Sequence, residues 1–143
     1  MFSKILVGVD GSSYSDRALA FAIDLSKKYG ASVTIIHVIA SPLFAFEGMV
    51  VAQPEKRLQE EGKQILIKCK ELARSMGVEV DTRLVTGHPA EEISRVANEE
   101  GYDLLVVGNR GLSRVKAFLL GSISERVTRF AKCPVLIVKP PPT

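Results

Sequence analysis

The sequence predicts an α/β fold: a five-stranded, parallel, doubly wound sheet with helices on both faces. Two observations carry this expectation. Five short runs of β-branched and aliphatic residues recur along the chain, and four stretches of helical periodicity separate them. The resulting β-α-β-α-β-α-β-α-β alternation needs crossover connections, which are right-handed and build parallel sheets. No internal repeat and no sign of a second domain interrupts the pattern, so residues 1–143 read as one domain.

The strand candidates are Lys4–Val9 (KILVGV), Ser32–Val38 (SVTIIHV), Val78–Val85 (VEVDTRLV), Asp103–Val107 (DLLVV) and Pro134–Val138 (PVLIV). Short continuous apolar runs of this kind suit strands covered on both faces. The first helix is expected over Ser13–Tyr29, with Ala18, Ala22, Leu25 and Tyr29 on one stripe and Gly30 as its stop. The second is expected over Pro54–Met76. Leu58, Gly62, Ile65, Cys69, Leu72 and Met76 recur there at spacings of three and four, and Gly77 follows. The third, Pro89–Glu100, opens on proline and carries Glu91 and Glu92 in its first turn, where the helix dipole favours acids. The fourth, Ser122–Ala131, offers Ile123, Val127 and Phe130 as its apolar side.

Right-handed crossovers leave few topologies, and the favoured strand order is 3-2-1-4-5. The first and fourth strands are then neighbours at the point where the winding reverses. Ligands of open α/β sheets bind there, beyond the carboxyl ends of the strands. The residues following Val9 and Val107 are therefore the ones to inspect. One stretch keeps neither period: Ala40–Gln53 (ASPLFAFEGMVVAQ), apolar and long for a connection, reads either as a lid or partner contact or as a merely mobile loop.

Composition narrows the function classes. Of 143 residues, 46% are hydrophobic and 24% charged, as in ordinary globular proteins, which excludes a low-complexity or disordered chain. No uncharged apolar run reaches the ~18 residues of a membrane helix, and the segment MFSKILVGVD lacks the apolar core of a signal peptide. No membrane partner is expected. The net charge of +3 is spread over the chain without a basic block, so no nucleic-acid partner is expected either. Cys69 and Cys133 match no metal or redox spacing and read as reduced core thiols, which suits a cytoplasmic protein.

After the fourth strand the chain reads GNRGLSRVKAFLLGSIS, in which Gly108, Gly111 and Gly121–Ser122 form G-x2-G-x9-G-S. Glycines let backbone N–H groups approach a phosphate without an intervening Cβ. The last glycine and serine open a helix, whose unpaired N–H groups and dipole attract anions. The Ser122 hydroxyl either adds a bond to a phosphate or caps the helix. With glycine at about 7% of residues, such a pattern arises by chance at roughly 4 in 100,000 starting positions. Arg110, Arg114 and Lys116 lie in the same region and either screen phosphate charge or are solvated loop cations. His37 and His88 have no partner at metal or triad spacing, and neither GxxxxGK[ST] nor GxGxxG occurs.

The chain resembles the small, single-domain, ATP-binding universal stress proteins. The resemblance runs through KILVGVDGS, IIHVI, GHPAEEI, YDLLVVGNRG, LLGSISERV and CPVLIVK, nearly the whole length. It implies a Rossmann-like fold, ATP binding and homodimerisation. Carried over by position, it implies that Val9, Asp10 and Val38 hold adenine and ribose, Val38 through its backbone. Val107 would pack on the nucleoside, Gly108 would pass close to the ribose, and Gly111, Gly121, Ser122 and the N–H of Ile123 would take the phosphates. Asp10 also reads as the turn acid of DGSS. Some relatives have proline where this chain has Gly8. Mg²⁺ or Mn²⁺ would be held mainly by the phosphates.

The functional expectation is a dimeric, nucleotide-dependent regulator that meets an unidentified protein partner. The alternatives are a slow ATPase or nucleotidyl transferase on the same scaffold, and a dimer without ligand. In the motif region Glu125 is the one carboxylate, expected on the outer face of the last helix. The homodimer is expected through strand 134–138, a short, apolar sheet edge followed by prolines that cannot extend a ladder. A monomer whose edge is covered by Ala40–Gln53 is the other possibility.

Overall fold

The computed structural model describes residues 1–40, 56–110 and 120–142. The elements in chain order are β1 (Lys4–Gly8), α1 (Ser13–Tyr29), β2 (Ser32–Ala40), α2 (Lys56–Ser75), β3 (Asp81–Gly87), α3 (Pro89–Glu99), β4 (Leu104–Gly108), α4 (Ser122–Phe130) and β5 (Val135–Val138). The strands form one sheet in the order β3-β2-β1-β4-β5, all parallel, as the alternation predicts. The start Pro54 expected for the second helix, and the apolar connection 41–53, lie outside the described residues.

β1 is the axis of the sheet. Ile5, Leu6 and Val7 are fully buried, Ile5 and Val7 in one core and Leu6 in the other. Full burial of one such side chain contributes about 1.5–3 kcal/mol. The first core packs α1 and α2 on one face of the sheet through Leu19, Ile23, Leu66 and Cys69. The second packs α3 and α4 on the other through Ile93, Val96 and Val127. The alternation within each strand divides it between the two cores.

Three expectations shift. β3 begins at Asp81 rather than Val78 and runs to Gly87, because β2 extends to Ala40 and pairs with it from Thr34↔Asp81 to Ala40↔Gly87. Val78 instead closes α2, its N–H donating to the Ala73 carbonyl. The buried stripe of α1 is Ser15, Ala18, Leu19, Ala22, Ile23 and Ser26; Tyr29 is half exposed and meets Phe2 edge-on at 5.4 Å. In α4 only Ser124 and Val127 are buried, while Ile123 and Phe130 are exposed. A nine-residue helix offers only about two turns to the sheet and buries a narrower stripe than its sequence pattern allows.

Both thiols are free, Cys69 buried and Cys133 half-buried. Burial, followed by the nearby Asp16 and Asp10 charges, pushes the Cys69 thiol up to about 11, so it is inert at neutral pH. Among the described residues no helix is long and apolar enough to cross a membrane.

At the amino ends of the strands, Asp103 ties β4 to β1. Its carboxylate accepts the Ser3 N–H at 2.8 Å, the Ser3 hydroxyl at 2.8 Å and the Lys4 N–H at 3.0 Å. Burial alone pushes this carboxyl up, but the hydrogen bonds together outweigh it and hold it below the usual aspartate value. A carboxyl lowered on folding stabilises the protein above its unfolded pKa, and that contribution is lost as pH falls through the folded one. Asp103→Ala is expected to cost about 1.5–3 kcal/mol at pH 7. In urea titrations, the gap between parent and variant should shrink below pH about 3.9. A gap independent of pH would refute the clip.

Candidate functional site

The site begins where β1 and β4 end side by side. After β1, the chain turns at Asp10–Ser13 into α1. The Asp10 Oδ1 accepts the Ser12 N–H at 2.9 Å, and the Ser12 hydroxyl accepts the Ser15 N–H at 3.2 Å as the helix cap. Asp10 is thus a turn acid, which engages one carboxylate oxygen; the half-buried side chain also borders the cleft described below. The Val9 carbonyl is met by His37 Nδ1 at 2.8 Å, so that nitrogen carries the proton and the carbonyl accepts it. His37 faces α2, where Gly62 packs above it, and stands apart from the cleft.

After β4, Gly108 makes the closest approach in the site. A Cβ built there would lie 3.0 Å from the Tyr14 carbonyl oxygen and 3.1 Å from the Tyr14 Cβ. Glycine lets the first turn of α1 seat on the end of β4 without displacing the Tyr14 backbone. The next residues are held from three sides. The Asn109 N–H donates to the Val138 carbonyl at 2.8 Å, and the Gly121 N–H donates to the Asn109 carbonyl at 2.9 Å. The Ser124 hydroxyl donates to the Gly108 carbonyl at 2.6 Å, and its oxygen lies 3.2 Å from the Asn109 carbonyl.

These bonds aim the amino end of α4 at the end of β4. Gly121 is the N-cap, with extended φ and ψ of −66° and 156°, and no side chain caps the helix. Ser122 is therefore the first helical residue, not the cap, and its side chain is exposed. The N–H groups of residues 122–124 have no carbonyl partner within the helix, as at every helix start. They form an anion-seeking end.

The cleft between these parts holds about 540 Å³, part of it open to solvent. Of the residues expected from sequence, Val9, Asp10, Val38, Val107, Gly108 and Ile123 line it together. Gly121 and Ser122 stand just behind, at the start of α4. Gly111, Arg114 and Lys116 lie outside the described residues. A Cβ at Gly121 would meet the Arg110 Cα at 3.1 Å and the Asn109 carbonyl at 3.3 Å, so this glycine is demanded by the protein's own packing.

Sequence reading missed Ser15, Pro89, Ile93 and Ser124, which also line the cleft. Ser124 carries a legible signal: the second serine of GSIS falls at the third helical position, one turn beyond the cap. Ile93 is visible only as an apolar residue, because packing alone brings α3 under the cleft. Arg110 is half-buried on the cleft wall, its guanidinium 4.6 Å from the centre of the Tyr14 ring and bonded to the Tyr14 hydroxyl. Asp10 and Arg110 are the charged residues among the described lining. Glu125 is exposed and pairs with Arg129 at 2.9 Å. No group of three His, Cys, Asp or Glu among the described residues could hold a metal ion.

The arrangement is a hydrophobic slot between β1, β2 and β4 that opens onto a helix start. Comparison with known proteins identifies the family. The universal stress protein family model matches residues 1–139. The universal stress protein YxiE of Bacillus subtilis (strain 168) is 40% identical over 148 residues, covering 97% of this chain and 100% of its own. Among solved structures, the protein MJ0577 superposes with a TM-score of 0.82 at 31% identity, over 100% of this chain and 99% of that one. A universal stress protein solved in complex with cAMP superposes with a TM-score of 0.75 at 31% identity, over 96% and 97% of the two chains. This chain belongs to the universal stress protein family.

Proposed function

We propose that the protein is a single-domain, cytoplasmic, ATP-binding regulator that acts as a homodimer, with little catalysis of its own. The observation that carries the reading is the convergence of Val9, Asp10, Val38, Val107, Gly108 and Ile123 on one cleft beside the uncapped start of α4. Adenine fits the apolar slot formed by Val38, Val107 and Ile93, with the backbone at Val38 as its edge partner. The ribose lies toward Asp10 and Gly108. The phosphates run to Gly111, Gly121, Ser122 and the Ile123 N–H, where helix geometry offers unpaired donors. A 31%-identical universal stress protein solved in complex with cAMP supports nucleotide binding. Mg²⁺ or Mn²⁺, when bound, would be held mainly by the phosphates and water.

Gly121→Val is a poor test, since its side chain would collide with Arg110 and Asn109 before any ligand. Asp10 gives a cleaner one. Asp10→Asn keeps an acceptor for the Ser12 N–H and converts the other carboxylate oxygen to a donor. In calorimetry it should weaken ATP about ten- to a hundredfold, as loss of a charged hydrogen bond of about 1.5–3 kcal/mol implies. The melting temperature should stay near the parent's. Unchanged affinity would leave Asp10 a turn residue only.

The binding-module reading also rests on chemistry. Phosphoryl transfer needs a positioned base or water and neutralisation of the moving charge. Glu125, the carboxylate on the motif's helix, points to solvent and pairs with Arg129. With Mg²⁺ present, ATP turnover should fall well below the ~1–1000 per second of ordinary enzymes. A rate inside that range would favour the ATPase alternative.

The homodimer joins two copies through β5. This edge strand is apolar over Val135–Val138, with three of its four residues half-buried in the single chain. An unpaired apolar edge invites antiparallel pairing about a two-fold axis. Light scattering should show twice the chain mass for the parent. Ile137→Pro, which removes a ladder donor, should shift the folded protein toward monomer. A monomeric parent, or a fully dimeric folded variant, would exclude this interface.

A further inference from the structure

Arg110 stands where three elements meet. Its backbone packs against Gly121 at the start of α4, it follows the end of β4 by two residues, and its side chain lies on Tyr14 of α1. The seat is rigid, because Tyr14 is itself pressed against Gly108, whose Cβ position is 3.0 Å from the Tyr14 carbonyl oxygen. A guanidinium laid on an aromatic ring and bonded to its hydroxyl has already lost most of its rotamer freedom. It can then bind an anion with little further ordering cost.

The position along the cleft decides which anion. Val38 near the end of β2, Val9 just after β1 and Val107 near the end of β4 lie at the carboxyl ends of neighbouring strands. Adjacent strands lie about 4.8 Å apart, so these three ends span about 10 Å, the reach of a nucleoside. Arg110 lies past the last of them. The start of α4 offers backbone donors on one wall, enough for a single phosphate, while Arg110 is held against α1 on the other wall. A phosphate chain extending beyond the first group runs between the two walls. The cleft's other described charge, Asp10, is an acid and repels such a chain from the nucleoside end.

We propose that Arg110, positioned by Tyr14, determines specificity for phosphate number, favouring a nucleoside polyphosphate over a monophosphate. The planar fork of the guanidinium takes oxygens of the second or third phosphate, a geometry lysine does not reproduce. This rests on the nucleotide-site reading above and adds to it the residue that distinguishes ATP from AMP.

Calorimetry with ATP, ADP and AMP on the full chain tests it, with melting temperatures as the check on folding. Arg110→Gln should weaken ATP about tenfold or more, the loss of one charge-assisted contact, and leave AMP within twofold. Arg110→Lys should fall between. Tyr14→Phe should weaken ATP severalfold, again sparing AMP, because it frees the guanidinium without touching the nucleoside. Equal losses for ATP and AMP, or an Arg110→Gln variant that binds ATP like the parent, would overturn the proposal. A parent that binds neither nucleotide would overturn the site reading itself. A parent that binds AMP as tightly as ATP would overturn only the role of Arg110.

Discussion

The contact between Gly108 and the backbone of Tyr14 is the constraint on which the site depends. The end of β4 and the start of α1 touch so closely that a side chain at position 108 would press on the Tyr14 backbone and force it to shift. Because Gly108 sits there, its carbonyl can receive the Ser124 hydroxyl and fix α4 across the gap. Enlarging residue 108 would therefore move α1, α4 and Arg110 together.

The two faces of the sheet divide the work. The α1–α2 face is closed: Gly62 is pressed over His37, and His37 secures the Val9 carbonyl. That bond fixes the direction in which the chain leaves β1, and so the position of Asp10. The α3–α4 face carries the slot, because Val38 and Val107 alternate onto it and Ile93 rises beneath them. A histidine that looks available for chemistry is thus a tie between two strand ends. The exposed ion pairs along the helices, such as Glu125–Arg129, contribute little by comparison, since solvent screens them.

Among the described residues, Glu125 on the motif's helix faces solvent while the start of that helix is anion-seeking, and both follow from how α4 is seated. Ser124, in the first turn of α4, spends its hydroxyl on the carbonyls of Gly108 and Asn109. Gly121 spends its N–H on Asn109. What the start of α4 itself offers is the row of helix N–H groups, which bind charge and transfer no proton, beside the exposed Ser122 and the Arg110 guanidinium.

The sequence by itself determined the sheet. Alternating apolar runs and helical stretches admit few right-handed topologies, and local patterns suffice to choose among them because each element's periodicity states which faces it must bury. It also located the motif, since glycine and serine at a strand end carry their conformational meaning locally. The tertiary structure decided the rest. It set the frame of β3, which follows from the length of β2 rather than from its own residues. It turned the α1 stripe by a residue and left Ile123 and Phe130 exposed, because the surface each helix meets depends on its crossing over the sheet. It gave Gly121 a packing reason, joined Arg110 to Tyr14 across 96 positions, and brought Ile93 under the cleft. These depend on contacts between residues far apart in the chain, and no local pattern encodes such a distance.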